Sequence, residues 1–284
     1  ATRTGADEAI ALELRSTLRR RGARRRAEEA DRLGPHLRQR SRPHVTIGTL
    51  GGFSVAVDGD PVPGATWQSK KARDIIKILV ARRGKPLHRE ALVELLWPDE
   101  DQKKTANRLS VALSVIRSVL DPDRLHQADH YLEADRDTVG LRLDRLQVDL
   151  EVFHNAASTG LAAARRNDHE RARGLLEEAE ATYVGDLLEE EPYEDWATAA
   201  REEARATYIT VARWLADQAH ADRDLDAAVR FLLRILQRDP FDENAHLQLV
   251  QVMIEARRPG EARRLYRQYC SRMEELGVEA APYP

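Results

Sequence analysis

Lys103-Lys104-Thr105-Ala106-Asn107-Arg108-Leu109-Ser110-Val111-Ala112-Leu113-Ser114-Val115-Ile116-Arg117-Ser118-Val119-Leu120 is the stretch on which the reading of this chain turns, and Asp121-Pro122 stops it. Its apolar residues Leu109, Leu113, Ile116 and Leu120 follow one another at intervals of four, three and four. That is the spacing of one buried stripe on a helix, predicted here over about Lys103 to Leu120. With the stripe turned inward, Lys104, Asn107, Arg108, Val111, Ser114 and Val115 look outward.

Two shorter helical patterns precede it. Ala72, Ile75, Ile76 and Leu79 form one face between Ser69 and Gly84, and a helix from His88 to Leu96 is expected to bury Ala91, Leu92, Leu95 and Leu96. The polar run Asp99-Glu100-Asp101-Gln102 joins this second helix to the third. Further upstream the period is two: Val45 to Leu50 and Phe53 to Val57 read as strands, followed by Asp58-Gly59, a pair that tolerates positive φ in a hairpin turn. Pro61 and Pro63 keep the returning strand short and peripheral. Downstream, His130–Glu133 and Val139–Leu143 flank Asp135-Arg136-Asp137-Thr138 as a second hairpin. A small sheet, three helices and a hairpin describe a helix-turn-helix carrying a wing, over residues 45–145.

Beyond Asp149 the pattern is helical throughout. Leu225-Asp226-Ala227-Ala228-Val229 aligns with Pro259-Gly260-Glu261-Ala262-Arg263 at an offset of 34, the period of tetratricopeptide helix pairs. Small Ala228 and Ala262 let paired helices approach closely. The expected fold class is therefore an α+β winged helix-turn-helix domain followed by an all-α tetratricopeptide-like helical repeat domain over residues 146–284. Residues 1–44, with Ile10, Leu14 and Leu18 on one thin stripe and the Arg24-Arg25-Arg26 run, read as a helical remnant and a basic linker.

The formal net charge of the 284 residues is −3, but it is unevenly spread. Residues 1–44 carry 12 basic and 6 acidic groups, residues 45–145 carry 16 and 15, and residues 146–284 carry 17 and 27. The average hides parts with different electrostatics. All six lysines lie between Lys70 and Lys104. One cysteine, Cys270, excludes a disulfide framework and a cysteine-rich zinc site, in keeping with a reducing cytoplasm. No apolar run approaches the roughly 18 residues of a membrane span, so no membrane partner is expected.

Signals for catalysis are weak, and neither enzyme activity nor a cofactor is expected. Gly84-Lys85 is followed by Pro86 and lacks the upstream glycine of a phosphate-binding loop. His126 and His130 are four apart, but Gln127 stands where a zinc protease needs its glutamate. Acid pairs such as Glu190-Glu191 and Glu202-Glu203 read as solvated faces. The third helix makes the sharper case, because its small, polar and basic outward face fits a major groove about 12 Å wide. Arg108 suits guanine O6 and N7, Asn107 an adenine edge, Val111 a thymine methyl, and Ser114 lies on the same face. Lys103, Lys104 and Thr105 at the helix start, and Lys70, Lys71 and Arg73 at the start of the first helix, are placed for phosphate. Arg136, at the tip of the wing, suits the minor groove.

Leu50-Gly51-Gly52-Phe53-Ser54-Val55 with Asp58-Gly59, Lys70-Lys71-Ala72-Arg73, Leu92-Val93-Glu94-Leu95-Leu96-Trp97-Pro98, and Asn107 through Arg117 together resemble the Streptomyces antibiotic regulatory protein (SARP) family. The resemblance continues through Tyr131-Leu132 and Val148-Asp149-Leu150-Glu151-Val152-Phe153, similar to the start of that family's bacterial transcriptional activator domain, and covers about residues 45–280. It implies an OmpR-like winged helix that binds tandem repeats in promoter DNA and recruits RNA polymerase holoenzyme through its sigma factor. It also implies that the Trp97–Gln102 loop, with Asp99, Glu100 and Asp101, touches polymerase, and that the helical domain arranges protomers head to tail on DNA. Those three acids equally suit the dipole at the start of the next helix. Many such regulators begin near the strand equivalent to Val45, so the 44 preceding residues suggest the effector end of a larger regulator. Three rival readings stay open: a helical-repeat interaction scaffold; a sensor whose groove is lined by Tyr208, Trp214, Tyr266 and Tyr269; and a metallohydrolase using His126 and His130.

Overall fold

Alternation and turn chemistry build the first sheet. The computed structural model describes residues 45–284 apart from Asp99 and the side chains of Gln102 and Lys103; the remnant and linker expected over residues 1–44 lie outside the described residues. β1 (Val45–Gly48) pairs antiparallel with β2 (Ser54–Val57), setting Ile47 opposite Val55, and both side chains are buried. Asp58 and Gly59 close the next turn with φ of 54° and 89°, the two left-handed positions such a hairpin requires. β3 (Asp60–Pro61) is then a two-residue edge strand, where the missing N–H of Pro61 costs no ladder bond.

Ser69 caps α1 (Lys70–Ala81), its hydroxyl accepting from the Ala72 amide at 3.3 Å. β4 (Leu87–His88) follows, then α2 (Arg89–Leu96) and α3 (Gln102–Leu120). α2 departs from expectation at both levels. His88 is in a strand because it pairs with Thr138. Only Leu92 and Leu96 turn inward, while Ala91 is exposed and Leu95 is 46% exposed, since two turns of helix present one i, i+4 ridge to the core. On α3 the expected stripe of Leu109, Leu113, Ile116 and Leu120 is buried. β5 (Leu132–Ala134) and β6 (Thr138–Leu141) form the wing and, with β4, a sheet in the order β4-β6-β5.

Six helices follow as three antiparallel pairs: α4 (Asp149–Arg165) with α5 (His169–Thr182), α6 (Asp195–Ala221) with α7 (Leu225–Arg238), and α8 (Glu243–Glu255) with α9 (Pro259–Glu275). Each pair turns through a residue with positive φ, Asn167, Arg223 and Arg257. Four residues after each following cap stands a fully buried alanine: Ala172, Ala228 and Ala262. The repeat noticed at Ala228 and Ala262 thus has a third copy.

The winged and helical regions meet through hydrogen-bonded backbone. β7 (Gln147–Val148) adds to β1 in parallel, Ile47 opposite Val148, giving the order β3-β2-β1-β7. The next residue, Asp149, accepts from the Thr49 and Leu50 amides at 2.7 and 2.8 Å and from the Thr49 hydroxyl at 2.8 Å. The loop after α5 completes the junction: the Leu188 amide donates to the Thr49 carbonyl and the Gly51 amide to the Asp186 carbonyl, each at 2.9 Å. A Cβ on Gly185 would stand 2.6 Å from the Gly51 Cα, so the close approach of the two stretches of chain requires glycine at 185, while Gly51 holds a φ of 89°.

Asp149→Ala removes an ionised acceptor from these donors at a contact between two parts of the chain. At about 1.5–3 kcal/mol for each hydrogen bond to a charged group, unfolding in denaturant should show a loss of about 3 kcal/mol or more. An unchanged midpoint would mean the carboxylate contributes nothing there.

His154 on α4 is buried with its Nε2 unpartnered. Burial, then the nearby Arg83 guanidinium, hold its pKa below the ordinary 6.5 against the opposing pull of Glu203 and Glu151. The folded chain therefore keeps His154 neutral where the unfolded chain would take up a proton. Its stabilising share is intact above about pH 6.5 and declines as pH falls through the window below that value. The difference in unfolding free energy between the native chain and His154→Phe should shift against the native chain from pH 7 to pH 5. A pH-independent difference would place His154 outside that linkage.

Candidate nucleic-acid interface

α3 presents two faces set by its own period. Leu109, Ala112, Leu113, Ile116, Val119 and Leu120 are buried, whereas Lys104, Asn107, Arg108, Val111 and Ser114 are exposed. Val111 is 58% exposed, a branched apolar side chain held in water between polar neighbours. Ser110 is also exposed, but its hydroxyl donates to the Ala106 carbonyl of its own helix at 3.0 Å.

The start of the helix is organised by Asp101. Its Oδ1 accepts from the Lys104 amide at 3.2 Å, and its carbonyl accepts from the Thr105 amide at 3.0 Å. Thr105 departs from the phosphate set expected for it. It is fully buried and its hydroxyl donates to the Asp101 carbonyl at 3.1 Å, so the side chain closes the first turn from inside. Thr105 stands four residues before Leu109 and so belongs to the inward stripe. Lys103 lies within α3 with its side chain outside the described residues, and Asp99 lies outside them altogether. Glu100 is paired with Arg108, its carboxylate accepting from Nη1 across the helix start. Of the expected site residues, these two are brought together directly.

At the start of α1, Lys70 is exposed and Arg73 is half-buried. Lys71 stands 3.8 Å from Asp74, whose carboxyl is pushed up by burial and then by the charge of Glu191. Arg136 is exposed at the wing turn. That turn is held by Asp135, whose Oδ1 accepts from the Asp137 and Thr138 amides at 2.8 and 2.6 Å, and those bonds hold its carboxyl below the usual range. The Arg89 amide donates to the Asp137 carbonyl at 2.9 Å, tying the wing to the start of α2.

Not every cation in the lysine-rich window faces outward. Lys77 is buried, 2.8 Å from Glu191 and 3.2 Å from Glu190, with its ammonium 5.1 Å from the centre of the Phe53 ring. Arg83 donates from Nε to Glu151 and from Nη1 to Glu203, both at 2.8 Å. Glu190, Glu191 and Glu203 are therefore not simply the solvated faces they resembled, because they neutralise cations of the winged region. The signal for Lys77 was present, since it interrupts the apolar run Ile75-Ile76-Lys77-Ile78-Leu79-Val80. Arg201 carried no comparable signal: it is buried and donates to the carbonyls of Leu187, Glu191 and Pro192.

The residues behind the rival readings have other work. The His126 and His130 rings stack at 3.9 Å and meet Tyr131 edge-on, and no group of three metal-ligating side chains occurs among the described residues. Burial, and then the charge of His126, lower the pKa of His130. Tyr208 is buried and stacked on Tyr183 at 4.4 Å. The Tyr266 hydroxyl donates to the Ala281 carbonyl while the Tyr269 hydroxyl accepts from the Ala281 amide, both at 2.8 Å, so this pair anchors the segment after α9. Trp214 faces His169 instead. No helix among the described residues is long and apolar enough to cross a membrane.

Comparison with known proteins agrees with this architecture. Residues 148–283 match the bacterial transcriptional activator domain, and residues 65–138 match the family described as transcriptional regulatory protein, C terminal. The chain is 24% identical over 249 residues to the transcriptional regulatory protein EmbR of Mycobacterium bovis and to that of Mycobacterium tuberculosis. Those alignments cover 84% of this chain and 61% of EmbR. The solved structure of Mycobacterium tuberculosis EmbR in complex with a low affinity phosphopeptide gives a TM-score of 0.68 at 22% identity, covering 84% of this chain and 62% of that one. The chain thus spans under two thirds of the length of these relatives, and the structural likeness is one of fold.

Proposed function

Because the chain belongs to the SARP family of transcriptional regulators, with an OmpR-like winged helix and a bacterial transcriptional activator domain, we propose that it is a sequence-specific DNA-binding activator that lays α3 in the major groove of promoter DNA. The outward face of α3 carries the reading: one surface offers a guanidinium, an amide, a hydroxyl and the exposed Val111 with no bulky residue among them. Arg108 reads guanine, Asn107 adenine and Val111 a thymine methyl, with Ser114 at the edge of the same surface. Lys104 and Lys103 hold phosphate at the helix start, Lys70, Lys71 and Arg73 hold it from α1, and Arg136 enters the minor groove from the wing.

The acidic turn before α3 is the proposed contact for RNA polymerase holoenzyme and its sigma factor. At Glu100 lies a groove of about 560 Å³ between α2 and α3, lined by the apolar Val93, Trp97 and Leu109 and by the charged Arg89, Glu90 and Glu94. An apolar lining whose three carboxylates outnumber its one guanidinium suits a basic segment of a protein partner. The helical pairs are the proposed surface for self-association on tandem repeats. None of these roles calls for catalysis or a cofactor.

Selection of duplexes from a randomised pool by the full chain should yield a repeated motif containing guanine. Arg108→Ala should then cost about 1–3 kcal/mol on the selected duplex, lose discrimination at that guanine, and leave the unfolding transition in place. Operator affinity unchanged by Arg108→Ala would remove α3 as the reading face. Binding by the native chain should also weaken steeply with salt, as phosphate contacts require.

A further inference from the structure

The pairing of Arg108 with Glu100 bears on how specificity is set, and the inference rests on the reading of α3 as the recognition helix. Glu100 stands two residues before α3 begins, and its carboxylate reaches eight residues along the chain to Arg108 Nη1. Both side chains are accessible, Arg108 at 51% and Glu100 at 41%, so the contact is formed at the surface that would meet DNA. Helix capping does not require Glu100, because Asp101 already accepts from the Lys104 amide.

The contact uses one nitrogen of the guanidinium. Arginine has five N–H donors in a planar fork, so engagement through Nη1 orients the plane and leaves the Nε and Nη2 edge to donate elsewhere. That edge matches the paired acceptors of guanine, O6 and N7. The carboxylate has a second effect. An unpaired guanidinium is drawn to every phosphate it passes, whereas one beside a carboxylate has little net charge to offer the backbone. A correctly placed base edge still gains two directed hydrogen bonds. Exposed ion pairs are weak enough to adjust as DNA arrives, so the arrangement biases the contact without blocking it.

We propose that Glu100 is a specificity-determining positioning residue: it holds Arg108 through Nη1, presents the remaining edge to guanine and suppresses capture of the same arginine by phosphate. The discrimination between operator and unrelated DNA then depends on a residue that itself makes no favourable DNA contact. Removing it should strengthen the wrong binding more than the right one.

The test uses the full chain, the duplex selected by the native protein, the same duplex with its guanine contact replaced, and a scrambled duplex, each titrated over a range of salt. Glu100→Gln should tighten binding to the scrambled duplex about tenfold and to the selected duplex less than about threefold, steepening the salt dependence on scrambled DNA by about one ion. Discrimination at the guanine should fall, and Glu100→Asp should retain most of it. In an Arg108→Ala background the selective effect of Glu100→Gln should vanish, since the two residues act as a unit. Equal change on all duplexes, no change on any, or the same shift with Arg108 absent would overturn the proposal. A native chain that prefers no duplex would overturn the recognition-helix reading itself, whereas a preference lost in Arg108→Ala but untouched by Glu100→Gln would overturn the role of Glu100 alone.

Discussion

The carboxylate of Asp149 is the point from which the arrangement of the molecule follows. β1 ends at Gly48, and the amides of Thr49 and Leu50 would be left without ladder partners in a region where Thr49 is fully buried. Asp149 supplies the acceptor, and it stands in the first turn of α4, where the free N–H groups and the dipole of that helix favour a negative charge. One side chain thus resolves two incomplete ends, that of a strand and that of a helix. Once they are joined, the chain after β1 is brought against the loop after α5: the Leu188 amide donates to the Thr49 carbonyl, the Gly51 amide to the Asp186 carbonyl and the Phe53 amide to the Glu190 carboxylate. Arg201 and Arg205 of α6 hold that loop in turn. A chain of hydrogen bonds therefore runs from the first sheet into the third helix of the repeat region, and residues 45–284 fall in one contact unit.

This junction changes the meaning of the uneven charge. Residues 146–284 are acidic, which in isolation suggests a face reserved for another protein. Part of that acid turns inward. Glu190 and Glu191 neutralise Lys77, and Glu151 and Glu203 neutralise Arg83. Burying Lys77 between two carboxylates and an aromatic face is tolerable only because those partners are fixed by the junction, since an ammonium taken from water without them would be strongly unfavourable. The lysine-rich window is accordingly of mixed use: Lys70 and Lys104 look outward, and Lys77 is an internal fastening.

Local period carried most of the architecture. The stripe of Leu109, Leu113, Ile116 and Leu120, the Asp58-Gly59 turn and the 34-residue offset of Ala228 and Ala262 are each written in consecutive sequence, and each appears in the fold. What was illegible depends on partners distant in the chain. β4 and β7 are two residues long, too short to show alternation, and exist only because β6 and β1 lie beside them. The third copy of the repeat at Ala172 was hidden because the acidic loop and the 27 residues of α6 stretch its offset to Ala228. Thr105 is a different case. Its place on the inward stripe was readable, and its hydroxyl suggested phosphate against the period; where residue type and period disagree, the period reports burial. The ion pair of Glu100 with Arg108 joins two residues selected for different roles, and only geometry reveals that they touch.

The same bookkeeping of cations constrains how the proposed regulator holds DNA. The winged region has 16 basic and 15 acidic groups, and several of its cations are already paired within the molecule. On the proposed reading the general attraction to duplex therefore comes from one face, the starts of α1 and α3 and the wing turn, and sequence preference comes from directed contacts on α3. Joining two copies on adjacent repeats raises affinity without adding basic residues, because the second binding event becomes intramolecular. That gain depends on the recognition helices keeping a definite spacing, which a loose tether between winged and helical regions would blur. The bonds at Asp149 and along the Asp186–Glu191 loop supply the stiffness, so the contact that completes β1 is also the one that would let association through the helical pairs be felt at the DNA.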